Sequence, residues 1–283
     1  MKIYLECIPC FLRQALEASK MATRDPARRE LAVREVLRRL GKISFRGKTP
    51  PEIGCVVHRV VRKVTGNPDP YKKVKDEFNR RAQRMYPSLK DKVEKSRHRL
   101  LTATKIAIAG NIIDFGPTSR FDLERTIREV LSRGFTIDHF KLFEKALEKA
   151  ETVAYLGDNA GEIVFDRVLL EELEGKQITF VVKGGPHIND ATVADAKFAG
   201  IHKIAEIKTV SNGEPGTGPR RNSKRFISWL KTRDVVISKG QGNYESLSEA
   251  DANIFFLLRV KCPMIARDIG APVGSTVVKS VKR

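Results

Sequence analysis

No apolar run in the 283 residues approaches the ~20 that a membrane-crossing helix needs. The opening stretch MKIYLECIPCFLRQALEASK has no secretory cleavage pattern, and Glu6 and Arg13 break up its apolar residues. A cytoplasmic protein is therefore the expectation. Cysteine is scarce as well: four residues, too few for a disulfide framework in a chain this long. Cys7 and Cys10 form a CxxC, while Cys55 and Cys262 stand alone. No second nearby ligand pair completes a zinc site around CIPC, and a thioredoxin-like motif would follow a strand rather than open a helix. The role of the pair stays open between small core residues and redox or metal work. Several signatures are absent altogether. Without GxxxxGK[ST] there is no ATPase phosphate loop, and without GxGxxG after the first strand a dinucleotide fold or a methyltransferase is disfavoured. Without GxSxG there is no hydrolase nucleophile elbow. Internal repeats and low-complexity tracts are also missing.

What is abundant is positive charge. Lys and Arg number 53 against 34 Asp and Glu, a net charge of +19. That balance suits polyanions, from nucleic acid to phosphorylated metabolites. Stretches such as PARRELAVREVLRRLGK and YKKVKDEFNRRAQR nevertheless mix acids among the bases and offer few aromatics for bases to stack on. They read as solvated helix faces, so nucleic acid is an unlikely partner and a non-catalytic nucleotide or nucleic-acid binder is the alternative reading. With 31% charged residues and only four Gln, the composition also fits a heat-tolerant protein.

Two halves follow different patterns. Residues 1–150 are helical almost throughout, with candidates at Ile8–Met21, Pro26–Leu40, Pro51–Thr65, Tyr71–Tyr86, Arg97–Ala109, Asp122–Ser132 and Asp138–Ala150, separated by Gly- and Pro-bearing breakers. Asp25 before Pro26 and Asp69 before Pro70 look like caps. Residues 151–283 alternate strand, loop and helix, with strands at Thr152–Leu156, Gln177–Lys183, Ile204–Val210, Asp234–Ser238, Ile254–Leu258 and Met264–Ala266. The expectation is an α/β fold, a mostly parallel sheet covered by helices, preceded by an all-helical region packed on the core.

The unusual residues follow strands. They fall in GDNAGE (157–162), KGGPHINDATVADA (183–196), SNGEPGTGP (211–219) and SKGQGNYE (238–245), all on the side of the sheet where ligands bind. Asp158, Asn159 and Asp190 supply hard oxygens suited to Mg²⁺ or Mn²⁺ and leave positions open for water and a phosphate. Each taken singly also reads as a helix cap. Lys239, beside Gly240, has the makings of a phosphate contact completed by backbone N–H groups.

GDNAGEIVFDRVLLEEL, VKGGPHINDATVADA and SKGQGNYESL, in that order, resemble the metal-dependent damage-control phosphatases. CIPCFLRQAL, GNIIDFG (110–116) and FFLLRVKCPMIARDIGAPVGSTVVK are similar to that family's compact prokaryotic and archaeal branch. The resemblance spans nearly the whole chain. It implies a three-layer α/β/α carboxy-terminal part and a divalent-metal phosphatase of small phosphorylated compounds, sugar phosphates or damaged phosphometabolites. It implies Asp158, Asn159 and Asp190 as ligands of Mg, Mn, Co or Ni, with Asp195 competing for the third place one helical turn on. It also implies Lys239 and Gly240 at the phosphate and Asn111 and Asp114 in the same cleft. Glu162 would orient a water or a ligand. Metal-activated water is the expected nucleophile, with Asp158 as the fallback. Oligomeric state is not legible.

Overall fold

The computed structural model describes residues 1–112, 123–210 and 223–281. Helices come first: α1 (Cys7–Ala22), α2 (Pro26–Leu40), α3 (Pro50–Thr65), α4 (Lys72–Glu94), α5 (Arg99–Ile112) and α6 (Leu123–Ser132). Then follow β1 (Ile137–Asp138), α7 (Phe140–Lys149), β2 (Thr152–Leu156), α8 (Glu162–Glu171), β3 (Gln177–Lys183), α9 (Val193–Phe198) and β4 (Glu206–Val210). The chain closes with α10 (Lys224–Lys231), β5 (Val235–Lys239), α11 (Gln241–Leu247), β6 (Ile254–Arg259), α12 (Pro263–Ile269) and β7 (Thr276–Ser280).

The strands make one seven-stranded sheet in the order β1-β7-β6-β5-β2-β3-β4, parallel except for the β6–β7 pair. Period-two alternation sorts its faces. Val153, Tyr155, Phe180, Val182, Val235, Ile237, Phe255 and Leu257 point into one apolar cluster with α4, α5, α7 and α8. Ala154, Leu156, Val181, Val236, Phe256 and Leu258 point into another with α10, α11 and α12. Both faces are covered, giving three layers, which is why these strands read as near-continuous apolar runs. Helices α1, α2 and α3 gather a third core around Phe11, Ala15, Val57 and Val61. The Asp25 carboxylate caps α2 through the Ala27 and Arg28 N–H groups, and Thr49 with Glu52 forms a capping box on α3.

From β2 the chain steps outward to β3 and β4, then crosses back to β5 on the other flank of β2 and continues to β6. The strand order therefore reverses between β2 and β5, the place where open α/β sheets bind ligands. Leu156 pairs with Ser238, so both strands end at the same height.

Three sequence expectations need correction. Residues Met264–Ala266 are helical, part of α12, which Pro263 opens and Gly270 (φ 79°) closes. The carboxy-terminal strand is instead β7, antiparallel to β6, and beside it the short β1 adds a strand before residue 150. Helix α4 does not stop before Pro87 but runs on to Glu94, because Leu89 and Val93 beyond the proline are buried in the first core.

Candidate active site

The loops after β2 and β5 meet at the reversal point, and their contact is tight. A Cβ on Gly240 would stand 1.8 Å from Asp158 Oδ2, and Gly240 has φ +78°, so only glycine lets β5 turn into α11 against that carboxylate. Asn243, one turn into α11, ties the loops together: its Nδ2 donates to the Lys239 carbonyl at 2.7 Å and to the Gly157 carbonyl at 3.3 Å.

The loop after β3 joins from the other side. Asn159 and Asp190 form an isolated antiparallel bridge, whose opposed residues project their side chains from one face. Two bonds frame the bridge: Ala160 N–H donates to the Asn189 carbonyl and Ala191 N–H to the Asp158 carbonyl. Ile188 within this loop holds φ +47°, the one non-glycine residue in the left-handed region among those described. Asp158 and Asp190 thus face one cavity of about 740 Å³, together with Lys183, His187, Gln241 and Gly242. Lys183 Nζ stands 3.4 Å from Asp190 Oδ2.

Beneath the loops lies a buried polar network. Asn111 and Asn159 each donate through Nδ2 to two acceptors, Asp158 Oδ2 (3.1 and 2.9 Å) and Glu162 Oε2 (3.0 Å for both). With its NH₂ committed to these carboxylates, the Asn159 amide is fixed in orientation and its carbonyl oxygen turns the other way. Glu162 Oε1 accepts from Lys239 Nζ at 2.8 Å. Lys239 also donates to Asp166 Oδ1 at 2.5 Å and to the Ala107 carbonyl at 2.7 Å, while Tyr155 O–H donates to Asp166 at 2.8 Å. Full burial works to raise the Glu162 carboxyl, but the Lys239 charge holds it below its ordinary value. Burial and the Glu162 charge push Asp166 up to about 7 against the pull of Lys239. Lys239 resists desolvation through the same two carboxylates, which raise its ammonium.

This geometry alters one expected role. Lys239 has no exposed surface and its three N–H donors are already given to Glu162, Asp166 and Ala107, so it does not reach the cavity as a phosphate contact. It is the counter-charge under the site. Asp195 is likewise engaged: Oδ2 accepts from Thr192 N–H and hydroxyl in a capping box on α9, and Oδ1 accepts from Asn79 Nδ2 at 2.7 Å. Asn79 in turn accepts from Gly161 N–H at 2.7 Å, a brace from α4 to the β2 loop. Asp114 and the loop 211–219 lie outside the described residues.

The donors around the cavity suit a hard divalent cation. Asp158, Asn159 and Asp190 offer two carboxylates and an oriented amide oxygen, an all-oxygen set. No group of three His, Cys, Asp or Glu with metal-holding geometry occurs among the described residues, so such a site depends on the Asn159 amide as a ligand. Residues that sequence reasoning missed include Asn79, Asp166, Asn243 and Lys261. The last follows β6, is exposed, and its charge acts on Glu162. Only Asn243 carried a signal, in the Asn of SKGQGN.

Comparison with known proteins places the chain in a family. The family model for the damage-control phosphatase ARMT1-like domain matches residues 3–277. An uncharacterized protein of Methanocaldococcus jannaschii is 36% identical, covering 98% of this chain and 95% of its own. A damage-control phosphatase of Pyrococcus horikoshii is 34% identical over 98% and 97% of the two chains, and one of Archaeoglobus fulgidus is 34% identical over all of both. The crystal structure of a DUF89 family protein from Pyrococcus horikoshii covers all of both chains with a TM-score of 0.86 at 33% identity.

Proposed function

The chain belongs to the damage-control phosphatase family, and from that premise we propose that it is a divalent-metal-dependent phosphatase of small phosphorylated metabolites, sugar phosphates or damaged phosphometabolites among them. The observation that carries the reading is the convergence of Asp158, Asn159 and Asp190 at the β2–β5 reversal, with the Asn159 amide locked by Asp158 and Glu162.

Asp158, Asn159 and Asp190 would hold the cation, which when bound supplies Lewis-acid polarisation of phosphoryl oxygens and a more acidic water. The rest belongs to the chain. Asn111 and Glu162 keep the Asp158 and Asn159 side chains in one arrangement, so no reorganisation is needed as charge develops. Lys239 neutralises Glu162 from below and so permits a carboxylate to stay ionised in the core. With Lys239 committed there, Arg13 and Lys183 on the cavity wall are cations that would meet the phosphate, and Lys261, just after β6, adds positive charge felt at Glu162. The 740 Å³ cavity has room for the alcohol part of an ester as well as its phosphate. Direct attack by water is the proposed step, with Asp158 as the fallback nucleophile.

The test is phosphate release from an aryl phosphate and a panel of sugar phosphates by chelator-stripped protein. Mg²⁺, Mn²⁺, Co²⁺ and Ni²⁺ are added back separately, with Asp158→Asn alongside. Metal-dependent turnover lost in the variant supports the reading. A folded wild-type protein that releases phosphate with no metal and from no ester would overturn it.

A further inference from the structure

All four cysteines of the chain converge on the one cavity. Cys7 and Cys10 from the first turn of α1 and Cys262 at the N-cap of α12 line it, and Cys55 of α3 lies 3.7 Å from the His187 ring, which lines it too. Positions 7, 10, 55 and 262 are far apart in sequence, none is fully buried, and all are free thiols. Cys7 and Cys262 pack against the edges of two apolar clusters, and none of the four is among the buried cluster members.

The two thiols of CIPC are not equivalent. The Cys10 sulfur accepts from Gln14 Nε2 at 3.5 Å and from the Arg13 guanidinium at 3.9 Å. Burial, with the nearby Glu245, Cys262 and Cys10, pushes the Cys7 thiol up despite a bond from the Tyr4 backbone. One helical turn separates them. From helix dimensions, residues three apart have Cα atoms about 5 Å from each other, inside the disulfide range.

We propose that Cys10 is a thiol-modification site that takes a low-molecular-weight disulfide into the substrate cavity, and that Cys7 clears the adduct. The Cys10 thiolate attacks one sulfur of the small disulfide, forms a mixed disulfide and expels a small thiolate. The adduct then occupies the cavity opposite Asp158. Cys7 attacks the Cys10 sulfur, passes its proton to the departing thiolate, and leaves a Cys7–Cys10 bridge. Two protein thiols are oxidised and one small disulfide becomes two thiols. Blocking of turnover rests on the phosphatase reading; the thiol chemistry does not.

The test exposes wild type, Cys7→Ser and Cys10→Ser to oxidised glutathione, read by intact mass, peptide mapping and aryl-phosphate turnover with metal. Wild type is expected to lose two hydrogens and carry a Cys7–Cys10 bridge. Cys7→Ser should retain one glutathione on Cys10 and lose at least tenfold in turnover, both reversed by a dithiol. Cys10→Ser should form no Cys7–Cys10 bridge and show no loss of turnover on oxidation relative to its own unoxidised rate. An unmodified Cys10 in Cys7→Ser, a bridge from Cys7 to Cys262, or an adduct without loss of turnover would each overturn the proposal. If no variant turns over any ester before oxidation, the phosphatase reading fails while the mass data still decide the thiol site.

Discussion

Gly240→Ala isolates the contact on which the candidate site depends. The added methyl would stand 1.8 Å from Asp158 Oδ2 and 2.3 Å from its Cγ. Ordinary non-bonded contact requires roughly 3.5 Å, so the carboxylate has to retreat by about 1.5 Å. Asn111 and Asn159 reach Oδ2 at 3.1 and 2.9 Å, and a shift of that size carries both bonds out of range. Each is an amide bond to a charged acceptor, worth about 1.5–3 kcal/mol. Gly240 also holds φ 78° with ψ 166°, a region essentially confined to glycine, which adds about 1–3 kcal/mol. Gly66, the C-cap of α3 at φ +71°, supplies the control, since its Cβ would meet nothing within 4 Å. Gly66→Ala pays only an αL backbone cost of about 1–2 kcal/mol. At roughly 2–4 °C per kcal/mol, it should lower Tm by about 2–8 °C, and Gly240→Ala by about 10 °C or more. The rates should part further. On the proposed function, misplacing the Asp158 carboxylate by more than 1 Å should cost kcat on the order of 100-fold, while Gly66→Ala keeps the wild-type rate. The assays are thermal denaturation and metal-dependent phosphate release, run well below both melting temperatures. A folded Gly240→Ala protein with kcat and metal affinity within about threefold of wild type refutes the placement of Asp158.

Three further perturbations separate roles in the same region. Lys239→Met strips Glu162 and Asp166 of their shared counter-charge and should cost about 3–5 kcal/mol in thermal or urea denaturation; an unchanged stability with a raised KM would mean that Lys239 serves substrate instead. Burial pushes Glu245, on the cavity wall, from an ordinary 4.5 up to about 7, so the folded state holds its proton more tightly than the unfolded chain. Its stability contribution is therefore full below about pH 4.5 and lost as pH rises through about 7, a loss of up to about 3 kcal/mol. Glu245→Gln should flatten that fall in pH-dependent melts, and identical slopes for both proteins would contradict it. Asp195→Ala should lose about 1–2 kcal/mol with the α9 capping box yet keep kcat, whereas Asp190→Ala should lose metal-dependent turnover; the reverse pattern makes Asp195 the third ligand.

The larger periodicities were legible because burial enforces them. Strands β2 and β3 and helix α2 fall on their sequence-read bounds, since strands covered on both faces are apolar throughout and a cap with proline at the first position marks a helix start. The failures have specific causes. Pro87 looked like a stop, yet a proline costs a helix about 3 kcal/mol, which the burial of Leu89 and Val93 can offset. The two-residue β1 is too short to carry any period. Pro263 and Gly270 frame α12 with start and stop residues, and the three apolar residues Met264–Ala266 are too few for their period to separate strand from helix.

Lys239 shows why a motif can locate a site and still misassign a side chain. Its position after an apolar run, beside glycines, argued for a cation at the mouth of the sheet. The strand extends one residue further than its apolar stretch suggests, and Lys239 pairs with Leu257 as the last residue of β5. Alternation then decides its direction. Val235 and Ile237 point into the core beneath α5 and α8, so Lys239, two residues on, points there too. A lysine in that core survives only with partners, and Glu162 and Asp166 stand one helical turn apart on α8 to supply them. The GDNAGE motif thus serves two layers: Asp158 faces the cavity, and Glu162 faces the lysine below while accepting from the Asn159 amide above. Removing the charge below should loosen the orientation above, which is why the Lys239 and Asp158 variants belong in one double-mutant cycle. A coupling energy near zero would mean that the two layers act independently.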